Sequence, residues 1–353
     1  MKELLVNLPE KSYPIYIEKG LFDSIGEEIK KIYKGRKIAI ITDENLDRIY
    51  GEKLSSNLEK NEFTVKKVVV KPGEKSKSID VLLRVYDELL DFSITRGDLI
   101  IAFGGGVVGD LTGFAASTLL RGIPFVQIPT SLLAQIDSSI GGKVAVDLPK
   151  GKNLVGSFYH PNAVFIDPEL LKTLDKRFLH DGMAEVVKYG AIRNKELFDE
   201  LLSFKGDDEL LENIEGIIYT CCDIKRQIVE KDEKDTGLRM ILNYGHTIGH
   251  AVEKYFNYET YTHGEGVAVG MYTITKRSEE LDITEAGTAD LIKQVLVKYQ
   301  LPFEISGLDK SKILQTVGLD KKNKGDNMSI ILISKIGDGF IKDISRSEME
   351  QYI

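Results

Sequence analysis

Asp98–Gly109 reads DLIIAFGGGVVG, an unbroken apolar run closed by a glycine turn. Leu99–Phe103 carries no polar side chain, as expected of a strand buried on both faces of a parallel sheet. Gly104-Gly105-Gly106-Val107-Val108-Gly109 fits G-x-G-x-x-G, and Val107–Leu120 reads as a buried helix. A strand that turns through glycines into a helix lets the backbone approach a pyrophosphate, whose charge the helix N-terminus favours. A tight turn without any ligand selects glycine as well.

Outward from this stretch, Arg36–Thr42 (RKIAIIT) and Phe63–Val70 (FTVKKVVV) are β-branched runs, and Leu46–Lys60 between them has apolar residues at helical spacing. Ser78–Phe92 is a further amphipathic helix. Strands and helices in alternation predict a doubly wound parallel sheet. After Asp167-Pro168 helical periodicity dominates: candidate helices lie within Asp181–Phe204, Asp208–Glu230, Thr236–Phe256, Gly264–Glu280 and Ala286–Tyr299, with a short apolar stretch at Ser329–Ser334. The expected fold class is an α/β N-terminal nucleotide-binding domain with a Rossmann-like parallel sheet over 1–167, followed by an all-α C-terminal domain over 168–353.

The 353 residues carry 47 Lys+Arg against 55 Asp+Glu, and the net charge of −8 excludes a surface built to wrap nucleic acid. The longest stretch without Asp, Glu, Lys or Arg is Gly122–Ile136, whose 15 residues include two prolines and two glutamines, too few and too polar to span a bilayer. Met1-Lys2-Glu3-Leu4-Leu5 lacks the features of a secretory signal, so a cytoplasmic protein without membrane partners is expected. Cys221 and Cys222 are adjacent, cannot staple a fold by themselves, and read as packing or surface thiols.

Candidate chemistry gathers at the histidines. His246 and His250 lie four apart in NYGHTIGH and face the same way on a helix, a common metal-binding spacing that ordinary core or surface histidines also reach. His263 in THGE and Glu185 in GMAE could complete a set suited to Zn²⁺ with an open position. Lys143, Lys152, Lys188, Lys225 and Arg239 stand in short polar contexts and could line an anion pocket, although each alone reads as a surface cation. No acidic residue stands about 20 residues beyond the glycine turn to hold a ribose. Asp43, directly after Arg36–Thr42, is the substitute; it reads equally as the N-cap of the next helix.

Gly104–Gly113 (GGGVVGDLTG), Arg121–Lys143 (RGIPFVQIPTSLLAQIDSSIGGK), Gly151-Lys152-Asn153, Gly182–Lys188 (GMAEVVK), Leu238–Glu253 (LRMILNYGHTIGHAVE) and His263–Met271 (HGEGVAVGM) together resemble the 3-dehydroquinate synthase family, densely over residues 100–271. The resemblance implies an NAD- and zinc-dependent lyase, with cobalt or another divalent metal able to serve. It would convert 3-deoxy-D-arabino-heptulosonate 7-phosphate to 3-dehydroquinate and phosphate by transient oxidation, elimination, reduction, ring opening and aldol closure. This is the second step of the shikimate pathway.

The family's zinc ligands fall on Glu185, His246 and His263, which gives His250 to substrate and proton transfer instead of to metal. NAD positions fall on Asp43, on Pro72, Gly73, Glu74, Lys75, Ser76 and Lys77, and on Gly105, Gly106, Val107 and Asp110. Thr130, Ser131, Lys143, Lys152, Leu170 and Thr173 complete them. Substrate positions are Asp137, Lys143, Asn153, Lys188, Lys225, Arg239, Asn243 and His250, with Arg121 reaching across from the other subunit of a homodimer and Lys322, or its neighbour Lys321, closing over the substrate. The catalytic set implied is Asp235, His250, Lys143, Lys188 and Asn243.

Three positions depart from the family pattern. Asp235 replaces a glutamate and is one methylene shorter, Ser131 replaces threonine and keeps a hydroxyl, and Phe178 stands where a glutamate commonly follows Arg177. Another sugar-phosphate cyclase or a polyol dehydrogenase of the same fold is the alternative reading, and a non-catalytic NAD- or metal-binding regulator is a more distant one.

Overall fold

The apolar runs of the first half become strands of one sheet. In the computed structural model, which describes residues 1–307, 309–318 and 327–353, the chain divides into two units, Met1–Leu174 and Asp175–Ile353. In chain order the first unit contains β1 (Lys2–Val6), β2 (Tyr13–Ile17), β3 (Lys37–Asp43), β4 (Thr64–Val70), β5 (Leu99–Gly104), β6 (Phe125–Pro129), the hairpin β7 (Lys143–Leu148) and β8 (Gly151–Phe158), and β9 (Val164–Ile166). Seven of these strands form a sheet in the order β1-β2-β9-β6-β5-β3-β4. Only β1 and β2 are antiparallel within it; the other pairs are parallel.

Strand alternation sends side chains to both faces. Ile38, Ile40, Leu99, Ile101 and Phe103 share one core with Ile25 and Ile29 of the helix Ile25–Ile32 and with Leu54 and Leu58 of the helix Glu52–Lys60. Ile41, Val68, Ile100 and Phe125 share the other with Leu82 and Val85 of the helix Ile79–Asp91 and with Val108 and Leu111 of the helix Gly106–Thr118. Because both faces are covered, β5 needs no polar residue. A Cβ at Gly104 would stand 2.5 Å from the Val108 Cβ, so glycine is what lets the next helix begin this close to the strand. Residues 168–174 lie in this first unit, and Leu170 packs in the same core as Phe103 and Phe165.

The second unit is mostly helical. Lys176–Arg193 is buried along nearly its whole length and is the element against which others pack. Asn194 accepts a hydrogen bond from the Leu197 N–H at 2.9 Å and caps a new helix, Lys195–Ser203, so the helical stretch Asp181–Phe204 is shared by two helices. Within Thr236–Phe256 the expected helix begins at His246, after a 3₁₀ segment Leu238–Asn243 and Gly245, whose φ of +80° ends that segment in a left-handed turn. The all-α expectation also needs correcting: β10 (Asn327–Lys335) and β11 (Asp338–Ser345) form an antiparallel hairpin. Its first strand contains the apolar stretch Ser329–Ser334, and the left-handed Gly337 turns the chain back. Among the described residues no helix is long and apolar enough to cross a membrane. Cys221 and Cys222 are buried and unbridged.

Candidate active site

In the first unit, β3, β4, β5 and β6 are parallel, so their carboxyl ends share one edge of the sheet. β3 leads outward to β4 while β5 leads the other way to β6, which makes the β3–β5 boundary the point where strand order reverses and where such sheets bind ligands. Asp43 ends β3, and Gly105 follows β5 as the N-cap of the helix Gly106–Thr118. Asp43 Oδ1 accepts from the N–H groups of Asn45 and Leu46, at 2.8 and 3.1 Å, so its capping role is present in the fold. Thr130 and Ser131 follow β6; the Thr130 N–H donates to the Gly104 carbonyl at 3.1 Å, and Ser131 Oγ accepts from the Ala134 N–H at 3.3 Å. The hydroxyl in place of threonine thus stabilises its own turn.

Residues 72–77 form the turn after β4. Lys77 is buried there and donates to Asp110 at 2.5 Å. Burial alone would lower the Lys77 pKa, but Asp110 and Glu74 outweigh it and hold the ammonium charged. Lys152 lies 3.7 Å from Glu74. Asp147, not singled out in the sequence, ties this turn to β8: its N–H donates to the Lys77 carbonyl at 2.8 Å, and its Oδ1 accepts from the Asn153 N–H at 2.8 Å. Asn153 is held at φ +55° and is exposed. Asp137 lies in the turn Ala134–Ser138, Lys143 opens β7, and Thr173 Oγ1 is 3.0 Å from the Tyr50 hydroxyl. Leu170 is a core residue. Arg121 stands apart from these groups. It is exposed, at φ +64°, past the far end of the 13-residue helix that Gly105 caps. At 1.5 Å per residue that helix alone separates it from the glycine turn by about 20 Å.

In the second unit three helices deliver Glu185, His246 and His263 to one place. Glu185 Oε1 lies 3.4 Å from His246 Nε2 and 3.5 Å from His263 Nε2. Around a tetrahedral zinc with bonds of about 2.0–2.2 Å, neighbouring ligand atoms sit about 3.4 Å apart. One carboxylate and two imidazole nitrogens at these separations fit such an ion. His246 Nδ1 is 3.2 Å from the Tyr244 carbonyl, which accepts from it and leaves Nε2 facing Glu185. Burial pushes the His246 pKa down to about 3, with Lys188 and the other two histidines adding to the fall, so the ring is neutral. His263 moves the opposite way: burial would lower it, but Glu185 and Glu253 raise it well above the ordinary value. Metal binding at this site would release that proton.

The close approach of these helices is specified by glycine. A Cβ at Gly270 would stand 1.9 Å from the Gly245 carbonyl oxygen, so the helices His246–Tyr255 and His263–Glu280 touch through backbone. Asp181 accepts from the Gly264 N–H at 2.6 Å and pins the start of the second of these to the Glu185 helix. Arg177 adds a two-pronged pair with Glu265, at 2.8 and 2.9 Å, while Glu265 caps its own helix through Thr262. Nothing in the structure explains Phe178, which is exposed.

Around the three ligands, Lys188 is buried and paired with Glu185. Lys225 and Arg239 are buried as well, and Arg239 Nη1 donates to the Glu233 carbonyl at 2.7 Å. Asp232 organises the segment that follows: its carboxylate accepts from the N–H groups of Thr236, Gly237 and Arg239 at 3.0, 2.8 and 2.9 Å. Within that segment Asp235 is half-buried at φ +57°, and Asn243 lies just before the His246 helix. His250 is exposed, its ring centroid 5.4 Å from that of His246 and 5.9 Å from that of His263. Spacing alone paired His246 with His250, whereas the set around Glu185 takes His263. Lys321 and Lys322 lie outside the described residues. Glu253, which the sequence reading passed over, is buried with Oε2 3.5 Å from His263 Nδ1. Its signal was available: positions 246, 250 and 253 share one helix face.

Known proteins supply independent comparisons. Family models described as 3-dehydroquinate synthase N-terminal and C-terminal match residues 67–181 and 182–323. The 3-dehydroquinate synthase of Clostridium botulinum is 59% identical over 97% of this chain and 98% of its own. Among solved structures, 2-deoxy-scyllo-inosose synthase complexed with carbaglucose-6-phosphate, NAD⁺ and Co²⁺ superposes with a TM-score of 0.88 at 24% identity, covering 99% of this chain and 98% of that one. The 2-epi-5-epi-valiolone synthase of Streptomyces hygroscopicus, with NAD⁺ and Zn²⁺ bound, gives 0.88 at 24% identity, covering 98% and 96%. These structures share the fold, and the full-length identity together with the paired family models places the chain in a narrower group: it belongs to the 3-dehydroquinate synthase family.

Proposed function

We propose that this chain is a 3-dehydroquinate synthase, a lyase that converts 3-deoxy-D-arabino-heptulosonate 7-phosphate to 3-dehydroquinate and phosphate, with NAD and a divalent metal as cofactors. The observation that carries the reading is the convergence of Glu185, His246 and His263, with ligand atoms within 4.8 Å of one another and both histidines 3.4–3.5 Å from Glu185 Oε1, beside the buried cation Lys188. When bound, NAD supplies a reversible hydride acceptor and the metal a Lewis acid for the substrate's oxygens. Relatives of the same fold hold NAD⁺ with Co²⁺ or Zn²⁺, which supports both groups here.

The chain's own residues do the rest by binding and by proton handling. In this reading the first unit holds NAD at the β3–β5 boundary through Asp43, residues 72–77 and the Gly105 turn, while the helical unit holds metal and substrate. Lys225 and Arg239, buried cations, suit the substrate carboxylate, since removing them from water strengthens their hold on an anion. Asn243 offers both donor and acceptor to a hydroxyl. His250 is accessible beside the ligand set and suits proton exchange with substrate and solvent. Asp235 keeps a carboxyl function on a turn that Asp232 fixes. In the helical unit Lys188 would orient the phosphate. We assign Arg121 to the neighbouring subunit of a homodimer, because its own helix holds it about 20 Å from the glycine turn. A cytoplasmic location belongs to the same proposal.

The test follows phosphate, dehydroquinate and NADH absorbance together, using purified protein, the heptulosonate phosphate, catalytic NAD⁺ and Zn²⁺. Equal release of phosphate and dehydroquinate with no accumulating NADH is expected. Net NADH would replace this reading with a polyol dehydrogenase, and an unchanged substrate with another cyclase.

A further inference from the structure

His263 has a carboxylate at each of its two ring nitrogens. Nε2 faces Glu185 at 3.5 Å, and Nδ1 faces Glu253 at 3.5 Å. The other histidine of the set, His246, likewise has Nε2 toward Glu185 and its Nδ1 bonded to a backbone carbonyl. Each ring therefore has one nitrogen directed at the ligand pocket and the other at an acceptor. An acceptor at Nδ1 keeps the proton on that nitrogen and leaves the Nε2 lone pair available to an ion.

Glu253 is well placed for this task. It lies on the same helix face as His246 and His250, and it is only 4% exposed. Glu253, His250 and His263 also bring their ligand atoms within 4.8 Å of one another. A buried carboxylate is costly without partners, so its position between two histidines calls for a role. We propose that Glu253 is a positioning residue for the metal centre: it accepts the Nδ1 proton of His263, fixes that ring's tautomer and direction, and links the ligand His263 to the accessible His250. This inference rests on the metal reading above and names a residue that the metal set itself does not contain.

The test measures zinc affinity of the full chain by competition with a chromophoric chelator, together with the visible spectrum of the Co²⁺-loaded protein. The variants are Glu253→Gln, Glu253→Ala and Glu185→Gln. Loss of such a supporting carboxylate weakens metal binding by about 10–100-fold. Glu253→Ala should show this loss with an altered Co²⁺ spectrum, and Glu253→Gln a smaller one, because the amide oxygen still accepts from Nδ1. Glu253→Gln keeps the side chain's size and serves where the alanine variant fails to fold. Unchanged zinc affinity and Co²⁺ spectrum in folded variants overturn the proposal. Abolished binding in Glu253→Gln with retained binding in Glu185→Gln also overturns it, making Glu253 a ligand. If the wild-type protein binds neither ion, the metal reading falls, and ¹⁵N shifts of His263 in the metal-free protein, taken at a pH high enough for the ring to be neutral, decide the Glu253 role separately. An Nδ1–H tautomer lost in Glu253→Ala supports it, and an unchanged tautomer refutes it.

Discussion

Asp232 offers the sharpest stability test, because one carboxylate holds the turn that carries Asp235 and Arg239. Its Oδ1 accepts from the Thr236 N–H and its Oδ2 from those of Gly237 and Arg239. Burial alone would raise its pKa, but these backbone donors outweigh it and hold the group at about 2, against an ordinary value of 3.8. Converted directly, that difference is about 2.4 kcal/mol. Solvent reaches this carboxylate, so roughly half, about 1 kcal/mol, is the realistic contribution. Asp232→Asn keeps one acceptor oxygen and turns an NH₂ group toward donors, so the loss should be about 1–2 kcal/mol, mostly local. Because the folded pKa is depressed, the stabilisation is full above the ordinary value of 3.8 and is lost as pH falls through about 2. Amide exchange at Gly237 and Arg239 reports the local opening, and acid denaturation midpoints report the pH window. Wild-type protection at both amides in Asp232→Asn would refute the reasoning.

Other substitutions test separate parts of the structure. Lys77→Met leaves the Asp110 carboxylate without its ammonium and should cost about 3 kcal/mol in thermal unfolding, with Asp110→Asn in the same chain recovering most of it. Asp147→Ala removes the acceptor that holds the left-handed Asn153 and should cost about 1 kcal/mol, read as a severalfold rise in substrate KM with kcat little changed. For Arg121, mixing an Arg121→Ala protein with Glu185→Ala protein should restore part of the activity if each site is shared between copies. No recovery after verified subunit exchange would place Arg121 in its own subunit's chemistry or in structure alone.

The sheet was legible because both of its faces are covered. A strand such as β5, buried on each side, has to be apolar throughout, and the helices on either face have to be amphipathic, so pattern and fold carry the same information. Breaks in the second unit were not legible for the complementary reason. Asn194 capping a new helix, Asp232 gathering three amide protons and Gly245 reversing the chain are each a local competition for backbone hydrogen bonds, and apolar periodicity does not register it. The terminal hairpin was hidden differently: only its first strand has an apolar run, while β11, DGFIKDIS, mixes charged and apolar residues without a strand period and reads as surface.

The site divides along the same line. Helical spacing states which residues share a face, and it correctly puts His246, His250 and Glu253 together. It does not state which neighbouring helix that face meets. That choice is made by contact between backbones, where Gly270 lies against Gly245 and Gly264 against Asp181, and it brings His263 in place of His250 to the nitrogen-and-oxygen set around Glu185. The glycines of HGEGVAVGM were therefore as informative as its histidine. They fix how closely the helices approach, and that separation decides whether three side chains from distant parts of the chain converge within reach of one ion or remain an ordinary buried carboxylate and two rings.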